Sequence, residues 1–185
     1  MESNFQKVVT FNQTFGAVCH NHPQPQIFRD QPEVVKLRLD LIQEEFRELQ
    51  EAVARQDLLE VTDALADILY VVYGAGSAFG LNLDQAFGLV HESNMTKLCQ
   101  TEEEAQETVS WYLEHEPRYD SPSYRLASDR KHWVVYNQST QKVLKSIKYR
   151  PVDLREVIEE HGDRGQRLIT EFVQTRKGPR VEKTL

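Results

Sequence analysis

Five carboxylates in two neighbouring segments give the sequence its strongest chemical signal. Glu44, Glu45 and Glu48 form the pattern Glu-Glu-x-x-Glu, and Glu60 and Asp63 follow as Glu-x-x-Asp. Carboxylate oxygens are the ligands that Mg²⁺ and Mn²⁺ prefer, and Mg²⁺ usually keeps coordination positions for water and substrate phosphates. The pattern therefore predicts a divalent-cation site for phosphate chemistry. The alternative is a solvated face, which is the commoner role of an acidic run on a helix.

Helical periodicity favours the first interpretation. At about 100° per residue, Glu45 and Glu48 fall inside the arc of apolar residues on the first helix, and Glu44 falls at its border. On the second helix, Asp63 and Asp67 share a strip at one edge of the apolar face. A rise of about 1.5 Å per residue from the connecting turn places Asp63 level with Glu48, and Asp67 level with Glu45. The sequence therefore predicts carboxylates that face one another in a dry seam between two helices.

Buried carboxylates without partners cost several kcal/mol each, so they need protons, cationic side chains or metal ions. Arg38 lies on the same arc, which makes ion pairing the main alternative to metal binding. One arginine does not balance five carboxylates, and this favours Mg²⁺, with Mn²⁺ as a possible substitute. Glu60 has a second interpretation, since it can complete a capping box with Asp57.

The elements that must position these residues are helices. Pro32 and the cap at Asp57 predict two long helices joined by a very short turn at Gln56, which makes them an antiparallel hairpin. A shorter helix capped by Asn4 precedes them and a fourth follows. The predicted ranges are a first helix ending at Gly16, a loop over 17–32, and helices over 33–55, 58–79 and 82–98.

The second half changes character. Thr101 caps another helix, and residues 124–127, 133–137 and 142–146 predict a small antiparallel β meander, followed by a short helix over 153–161. The predicted fold is mainly α, an antiparallel helical bundle with this meander in its C-terminal half. The predicted domains are a catalytic core over 1–98, an inserted part over 99–162 packed on that core, and a weakly structured tail over 163–185.

Composition narrows the function classes. The 185 residues carry 22 basic and 29 acidic side chains, a net charge of -7, which argues against a nucleic-acid polymer as partner. Two cysteines, Cys19 and Cys99, are too few for a disulfide framework, and neither a signal segment nor a membrane span is evident. We therefore expect a cytoplasmic protein without a membrane partner.

With these motifs the sequence resembles the all-α nucleoside triphosphate pyrophosphohydrolases, the MazG-like and phosphoribosyl-ATP pyrophosphohydrolase-like superfamily. Residues 64–74 and 91–97 resemble a compact single-domain branch of it. The resemblance implies Mg²⁺-dependent cleavage of a (d)NTP, such as dUTP or a related nucleotide, to (d)NMP and pyrophosphate. It also implies that Glu45, Glu48, Glu60 and Asp63 are metal ligands. Glu44 then orients or deprotonates the attacking water, or serves as a further ligand.

Other residues are candidates for substrate binding. Asn94 and Lys97, on the fourth helix, can meet phosphate oxygens, although a lysine near a helix C-terminus has an ordinary structural role as well. Asn12 can frame a base pocket together with neighbouring phenylalanines, which are equally typical of a core. Asp67 matches Asp63 in geometry but lies outside the motif, so it is placed with the substrate-binding residues, one layer behind the ligands.

Broad apolar helix faces predict a homodimer or a higher homo-oligomer, and the resemblance implies a nucleotide as the substrate. Two alternative functions stay open at this point. One is a phosphoribosyl-ATP pyrophosphohydrolase of histidine synthesis, against which the C-terminal half and residues 91–97 count. The other is a non-catalytic nucleotide- or metal-binding regulator. Residues 101–139 look like an insertion whose role the sequence does not indicate.

Overall fold

A computed structural model describes residues 2–159 of the chain. It confirms the predicted fold class, since helices dominate and the second half contains a small antiparallel sheet. Among the described residues, no single helix is long and apolar enough to cross a membrane, and one bent pair, Leu58–Phe79 with Leu83–Met95, meets the length and composition requirements only jointly. The elements in chain order are α1 Asn4–Thr14, α2 Ile27–Asp30, α3 Pro32–Arg55, α4 Leu58–Phe79, α5 Leu83–Met95, α6 Glu102–His115, β1 Pro122–Leu126, β2 Trp133–Asn137 and α7 Arg155–Glu159.

The chain divides into two compact units. The first contains residues up to Ala86 together with α7, and the second runs from Phe87 to Asp153, so the division falls within α5. The predicted boundary at residue 98 stays a prediction. The end of the helix predicted over 153–161 and the tail predicted over 163–185 lie outside the described residues.

The hairpin of α3 and α4 forms the centre of the first unit, and local signals fix both of its ends. Pro32 occupies the first turn of α3, and Gln56 ends that helix in the left-handed conformation with φ of 57°. The Asp57 side chain accepts hydrogen bonds from the main-chain N–H groups of Leu59 and Glu60, which begins α4. Gly80, with φ of 71°, ends α4 as predicted.

The start of α1 corrects one expectation. Ser3, rather than Asn4, is the cap: its hydroxyl accepts the N–H of Gln6, whose side chain accepts the N–H of Ser3 in return. The segment predicted as a loop over 17–32 also contains the short helix α2. Its residue Ile27 packs with Val34 and Ala78, and this apolar contact holds the one-turn helix in place.

The second unit packs α6 against the strands β1 and β2, which pair in antiparallel register from Pro122 opposite Asn137. The predicted third strand over 142–146 is wrong. This segment makes only an isolated bridge between Tyr136 and Val143. Its backbone then turns to α6, where the N–H of Lys145 donates to the hydroxyl of Tyr112 at 3.1 Å.

A buried carboxylate fixes the segment that follows. Glu104 of α6 is 3% exposed and accepts hydrogen bonds from the Ser146 hydroxyl, the Lys148 ammonium and the N–H of Gln100. Burial opposes ionisation of Glu104, but these bonds outweigh it and lower the pKa of the carboxyl. The Thr101 hydroxyl accepts the N–H of Glu104, as the predicted cap requires.

Candidate active site

The five motif carboxylates lie along the α3–α4 hairpin of the first unit. Glu45 is half-buried, whereas Glu44, Glu48, Glu60 and Asp63 are exposed. The expectation that Glu48 faces a buried seam is therefore wrong for the single chain. The seam is open to solvent, and only Glu45 among the five is partly withdrawn from it.

The exposure of Glu48 has a physical reason in its neighbours. The apolar residues that define the arc on α3 are themselves open, with Leu37 52% and Phe46 53% exposed. The facing helix shows the same feature, since Leu65 is 49% and Leu69 54% exposed. Periodicity correctly identifies the apolar side of each helix, but one chain does not supply enough surface to cover it.

Negative charge converges on Glu45. Burial raises the pKa of this carboxyl most, and the charges of Glu48, Asp67, Glu44 and Asp63 raise it further. Both helices contribute to this set, which we call the acidic cluster: Glu44, Glu45, Glu48, Asp63 and Asp67. The predicted facing of the two motifs across the hairpin is thus reproduced in the electrostatics around Glu45.

Glu60 stands apart from the acidic cluster, since its charge is not among those that act on Glu45. Its predicted capping box with Asp57 is half formed. The N–H of Glu60 donates to the Asp57 carboxylate at 3.2 Å, but the N–H of Asp57 donates to the carbonyl of Ala52 instead of the Glu60 side chain. Asp57 therefore caps α4 without help from the Glu60 carboxylate.

Cationic side chains do not neutralise the acidic cluster. Within residues 2–159, none of its members forms an ion pair with lysine, arginine or histidine. Arg38, the predicted competitor, is 8% exposed and donates from Nη2 to the carbonyl of Val18 at 3.5 Å. Burial lowers the pKa of its guanidinium, so its environment is apolar rather than anionic.

The donor set of the acidic cluster fits Mg²⁺ in part. In the described part of the chain, no three His, Cys, Asp or Glu side chains converge closely enough to form a complete metal site. Mg²⁺ does not require one, because it is commonly held by one or two carboxylates together with water and substrate phosphates. Unneutralised carboxylate oxygens on both helices match that mode of binding.

A second polar group, Asn12 and Arg38, lies where α1 packs on the hairpin, and the sequence did not indicate that both side chains lie beside Gly74. Asn12 of α1 is 3% exposed, and neither its Nδ2 nor the Nε of Arg38 has a hydrogen-bond partner. Gly74 of α4 makes room for both side chains. A Cβ added at Gly74 would lie 3.2 Å from Nη1 of Arg38 and 3.9 Å from Nδ2 of Asn12. A glycine inside a long apolar helix was the available signal.

The phenylalanines beside Asn12 are exposed rather than part of a core. Phe11 is 41% and Phe15 71% exposed, and their rings stack with centroids 4.2 Å apart. Tyr70 of α4 meets Phe11 edge to face at 5.5 Å. An open aromatic surface next to a buried amide is an arrangement that suits a nucleobase, which stacks on rings and forms hydrogen bonds at its edge.

Comparison with known protein families assigns the segment that contains this hairpin to one of them. The profile of the phosphoribosyl-ATP pyrophosphohydrolase family matches residues 8–94, a range that contains the whole acidic cluster. Residues 8–94 form a domain of this family. An uncharacterized protein of Acanthamoeba polyphaga mimivirus is 31% identical over an alignment of 242 residues, which covers 85% of this chain and 96% of the viral protein.

Membership in the phosphoribosyl-ATP pyrophosphohydrolase family confirms the predicted superfamily and the predicted enzyme class. The family lies within the all-α MazG-like NTP pyrophosphohydrolases, whose members hydrolyse phosphoanhydride bonds. The protein is therefore a nucleotide pyrophosphohydrolase. The viral relative is uncharacterized and adds no information on the substrate.

The remaining two predicted substrate contacts lie in the second unit. Asn94 is exposed on α5 and falls at the end of the family match. Lys97 lies beyond that match and lines a cavity formed by residues of the second unit alone. Their assignment to the substrate of the acidic cluster stays a prediction.

Proposed function

We propose that the protein is a Mg²⁺-dependent nucleoside triphosphate pyrophosphohydrolase that converts a (d)NTP, such as dUTP or a related nucleotide, to (d)NMP and pyrophosphate. The observation that carries the proposal is the acidic cluster. Four carboxylates from two helices raise the pKa of Glu45, and none of the five forms an ion pair with a cationic side chain within residues 2–159. A divalent cation is the counter-charge that this arrangement lacks, and a triphosphate is the ligand that brings the remaining oxygens.

Bound Mg²⁺ would supply the neutralisation of phosphate charge that in-line attack on phosphorus requires. In this proposal Glu45, Glu48, Glu60 and Asp63 hold the ion. Glu44 sits next to Glu45 on α3 and is exposed, so its carboxylate is free to orient a water molecule or accept its proton.

In this proposal α1 and the residue that follows it bind the base of the nucleotide. The exposed rings of Phe11 and Phe15 offer a stacking surface, and the unpartnered Nδ2 of Asn12 offers a hydrogen-bond donor to a base carbonyl. Asp67 supports the ligands from beside Glu45. Asn94 and Lys97 are proposed to contact phosphate oxygens.

The exposed apolar arc on the hairpin favours a homodimer or a higher homo-oligomer. Isolated apolar side chains on a surface need no explanation, but a stripe of half-exposed leucines and phenylalanine along two packed helices is typical of an interface. A second copy packed on this stripe would also withdraw Glu48 from solvent. Sedimentation analysis tests this part of the proposal.

Phosphoribosyl-ATP is the main alternative substrate, because the matching family profile is named for that reaction. The second unit, which the profile covers only to residue 94, favours a different substrate. A non-catalytic regulator is the third possibility, and the incomplete ligand set in the described residues is the observation on its side.

One assay distinguishes the three. Purified full-length protein is mixed with Mg²⁺ and each of a panel of dNTPs, NTPs and phosphoribosyl-ATP, and pyrophosphate and orthophosphate are both measured. We expect pyrophosphate with a (d)NTP, its loss in E48Q, and wild-type rates in E51Q, a neutralisation on the same helix outside the acidic cluster. Orthophosphate release, or wild-type rates in E48Q, would contradict the proposal.

A further inference from the structure

The second unit contains a cavity of about 740 Å³ whose lining residues all lie beyond the family match over residues 8–94. It is bordered by α6, by the loop after that helix and by the segment over 142–149, all inside this unit. Small-molecule sites in proteins typically measure about 300–1,000 Å³. The cavity therefore has the size of a site for one small ligand, and of its lining residues only Lys97 has a proposed role so far.

The charge of its lining is opposite to that of the whole chain. The basic residues that border the cavity are Lys97, Arg118, Lys142 and Lys145, and within residues 2–159 Glu116 is the only acidic residue in its lining. Arg118 pairs with Glu116 at 2.8 Å, which neutralises both. The three lysines form no ion pair with any residue of the described chain. A protein of net charge -7 thus gathers three unneutralised cations around one cavity, which favours an anionic ligand.

Aromatic rings line the same cavity. Trp111 is 41% exposed and stacks on His115 with one face, and the buried Tyr112 meets Tyr119 edge to face at 5.5 Å. Exposed aromatic faces stack on nucleobases, and this contact depends little on which base is present.

The cations and the rings form one surface rather than two. The Lys142 ammonium lies 5.3 Å and the Arg118 guanidinium 5.0 Å from the centre of the Tyr119 ring, and Lys145 lies 4.4 Å from that of Tyr149. Each contact holds a flexible cationic side chain at the cavity. A single ligand can therefore touch positive charge and an aromatic face at once.

Backbone contacts fix the position of this wall. The hydroxyl of Tyr112 accepts the N–H of Lys145, and the buried Glu104 holds Ser146 one residue later. These hydrogen bonds explain why the segment leaves the β sheet where a third strand was expected. The departure of this segment from the sheet places Lys142 and Lys145 at the cavity.

We propose that this cavity is a second, non-catalytic binding site for a free mononucleotide, whose phosphate contacts the lysines and whose base stacks on the aromatic wall. The proposal does not rest on the proposed function, because it needs neither the acidic cluster nor a metal ion. A cavity of this size with three lysines suits one phosphorylated base, whereas a polymer requires an extended basic track.

The test is equilibrium binding of AMP to the full-length protein in EDTA, by calorimetry, with adenosine, inorganic phosphate and a 12-nucleotide single strand as comparison probes. We expect saturable AMP binding and at least about tenfold weaker binding of adenosine and of phosphate, since each lacks one half of the contacts. K142A should weaken AMP binding about tenfold, and K142R should restore most of it. K131A, an exposed lysine in the β1–β2 turn, should bind like the wild type.

Binding by E48Q separates this site from the acidic cluster, and we expect it to equal wild-type binding. Absence of saturable AMP binding in the wild type would overturn the proposal, as would equal losses in K142A and K131A or loss in E48Q. Phosphate that binds as tightly as AMP would contradict the role of the aromatic wall. A single strand that binds more tightly than AMP would reassign the cavity to a nucleic acid.

Discussion

Neutralising Glu48 should stabilise the metal-free protein and weaken its stabilisation by Mg²⁺. Glu48 is exposed and forms no ion pair in the described chain, and on α3 it lies four residues after Glu44, three after Glu45 and three before Glu51. Like charges at these helical spacings destabilise by about 0.2–0.5 kcal/mol per pair. E48Q relieves three such pairs, so we expect the metal-free variant to be more stable than the wild type by about 0.6–1.5 kcal/mol.

Magnesium should remove most of this advantage, because the wild type gains about 1 kcal/mol more from the ion than the variant does. At an ion concentration ten times its dissociation constant, the wild type gains about 1.4 kcal/mol of unfolding free energy. If the loss of one ligand weakens binding about tenfold, the variant gains only about 0.4 kcal/mol. The measurement is urea unfolding of both proteins in EDTA and in Mg²⁺.

E51Q is the matched control for this comparison. Glu51 lies on the same helix and pairs with Arg55 at 3.9 Å, outside the acidic cluster. Its neutralisation breaks this exposed ion pair but also removes repulsion from Glu48, so it should change stability in EDTA by less than about 0.5 kcal/mol and leave the Mg²⁺ gain at the wild-type value. A metal-free E48Q that is less stable than the wild type, or one that gains as much from Mg²⁺, would refute the assignment of Glu48.

Three further predictions concern other positions. G80A should lower the free energy of unfolding in urea by about 3 kcal/mol, because φ is 71° and the new Cβ would lie 1.8 Å from a main-chain oxygen. G16A, where φ is 69° but no atom lies near the new Cβ, should lower it by about 1 kcal/mol. Hydrogen bonds lower the pKa of Asp120 to about 2, so its stabilising contribution is complete above pH 4 and is lost as pH falls toward 2. D120N should remove that part of the acid dependence of thermal unfolding. An unchanged dependence of the unfolding temperature on pH would contradict this role of Asp120. D63N should reduce kcat at least about tenfold more than E60Q does, because only Asp63 belongs to the acidic cluster. Equal losses of kcat in steady-state assays would show that Glu60 contributes as much to the reaction as Asp63.

The sequence predicted the hairpin well because its limits depend on local rules. A proline at the first helical position, a carboxylate cap at Asp57 and a glycine at residue 80 each act within one turn of the chain, and the structure has all three where they were expected. The family match also confirms the enzyme class that the carboxylate pattern predicted. These features require no knowledge of what packs against the helices.

Predictions that depend on distant surfaces were less accurate. Glu48 was expected to be buried because its neighbours are apolar, yet those neighbours are exposed in the single chain. Lys142 to Ser146 has β-forming residues, but α6 offers this segment hydrogen bonds that a third strand would forgo. Asn12 and Arg38 meet only because α1 and α3 both lie against α4 at Gly74.

The connection between α3 and α4 consists of Gln56 and Asp57 alone. So short a connection leaves no slack, and an extra residue inserted in α3 between Glu48 and the turn would rotate Glu45 by about 100° relative to Asp67. The number of residues between the two acidic motifs therefore determines whether their side chains face each other. A change of length by one residue between Glu48 and the turn would separate the two halves of the acidic cluster without altering any of its members. Substitutions of exposed residues on the outer face of the hairpin would leave this spacing unchanged.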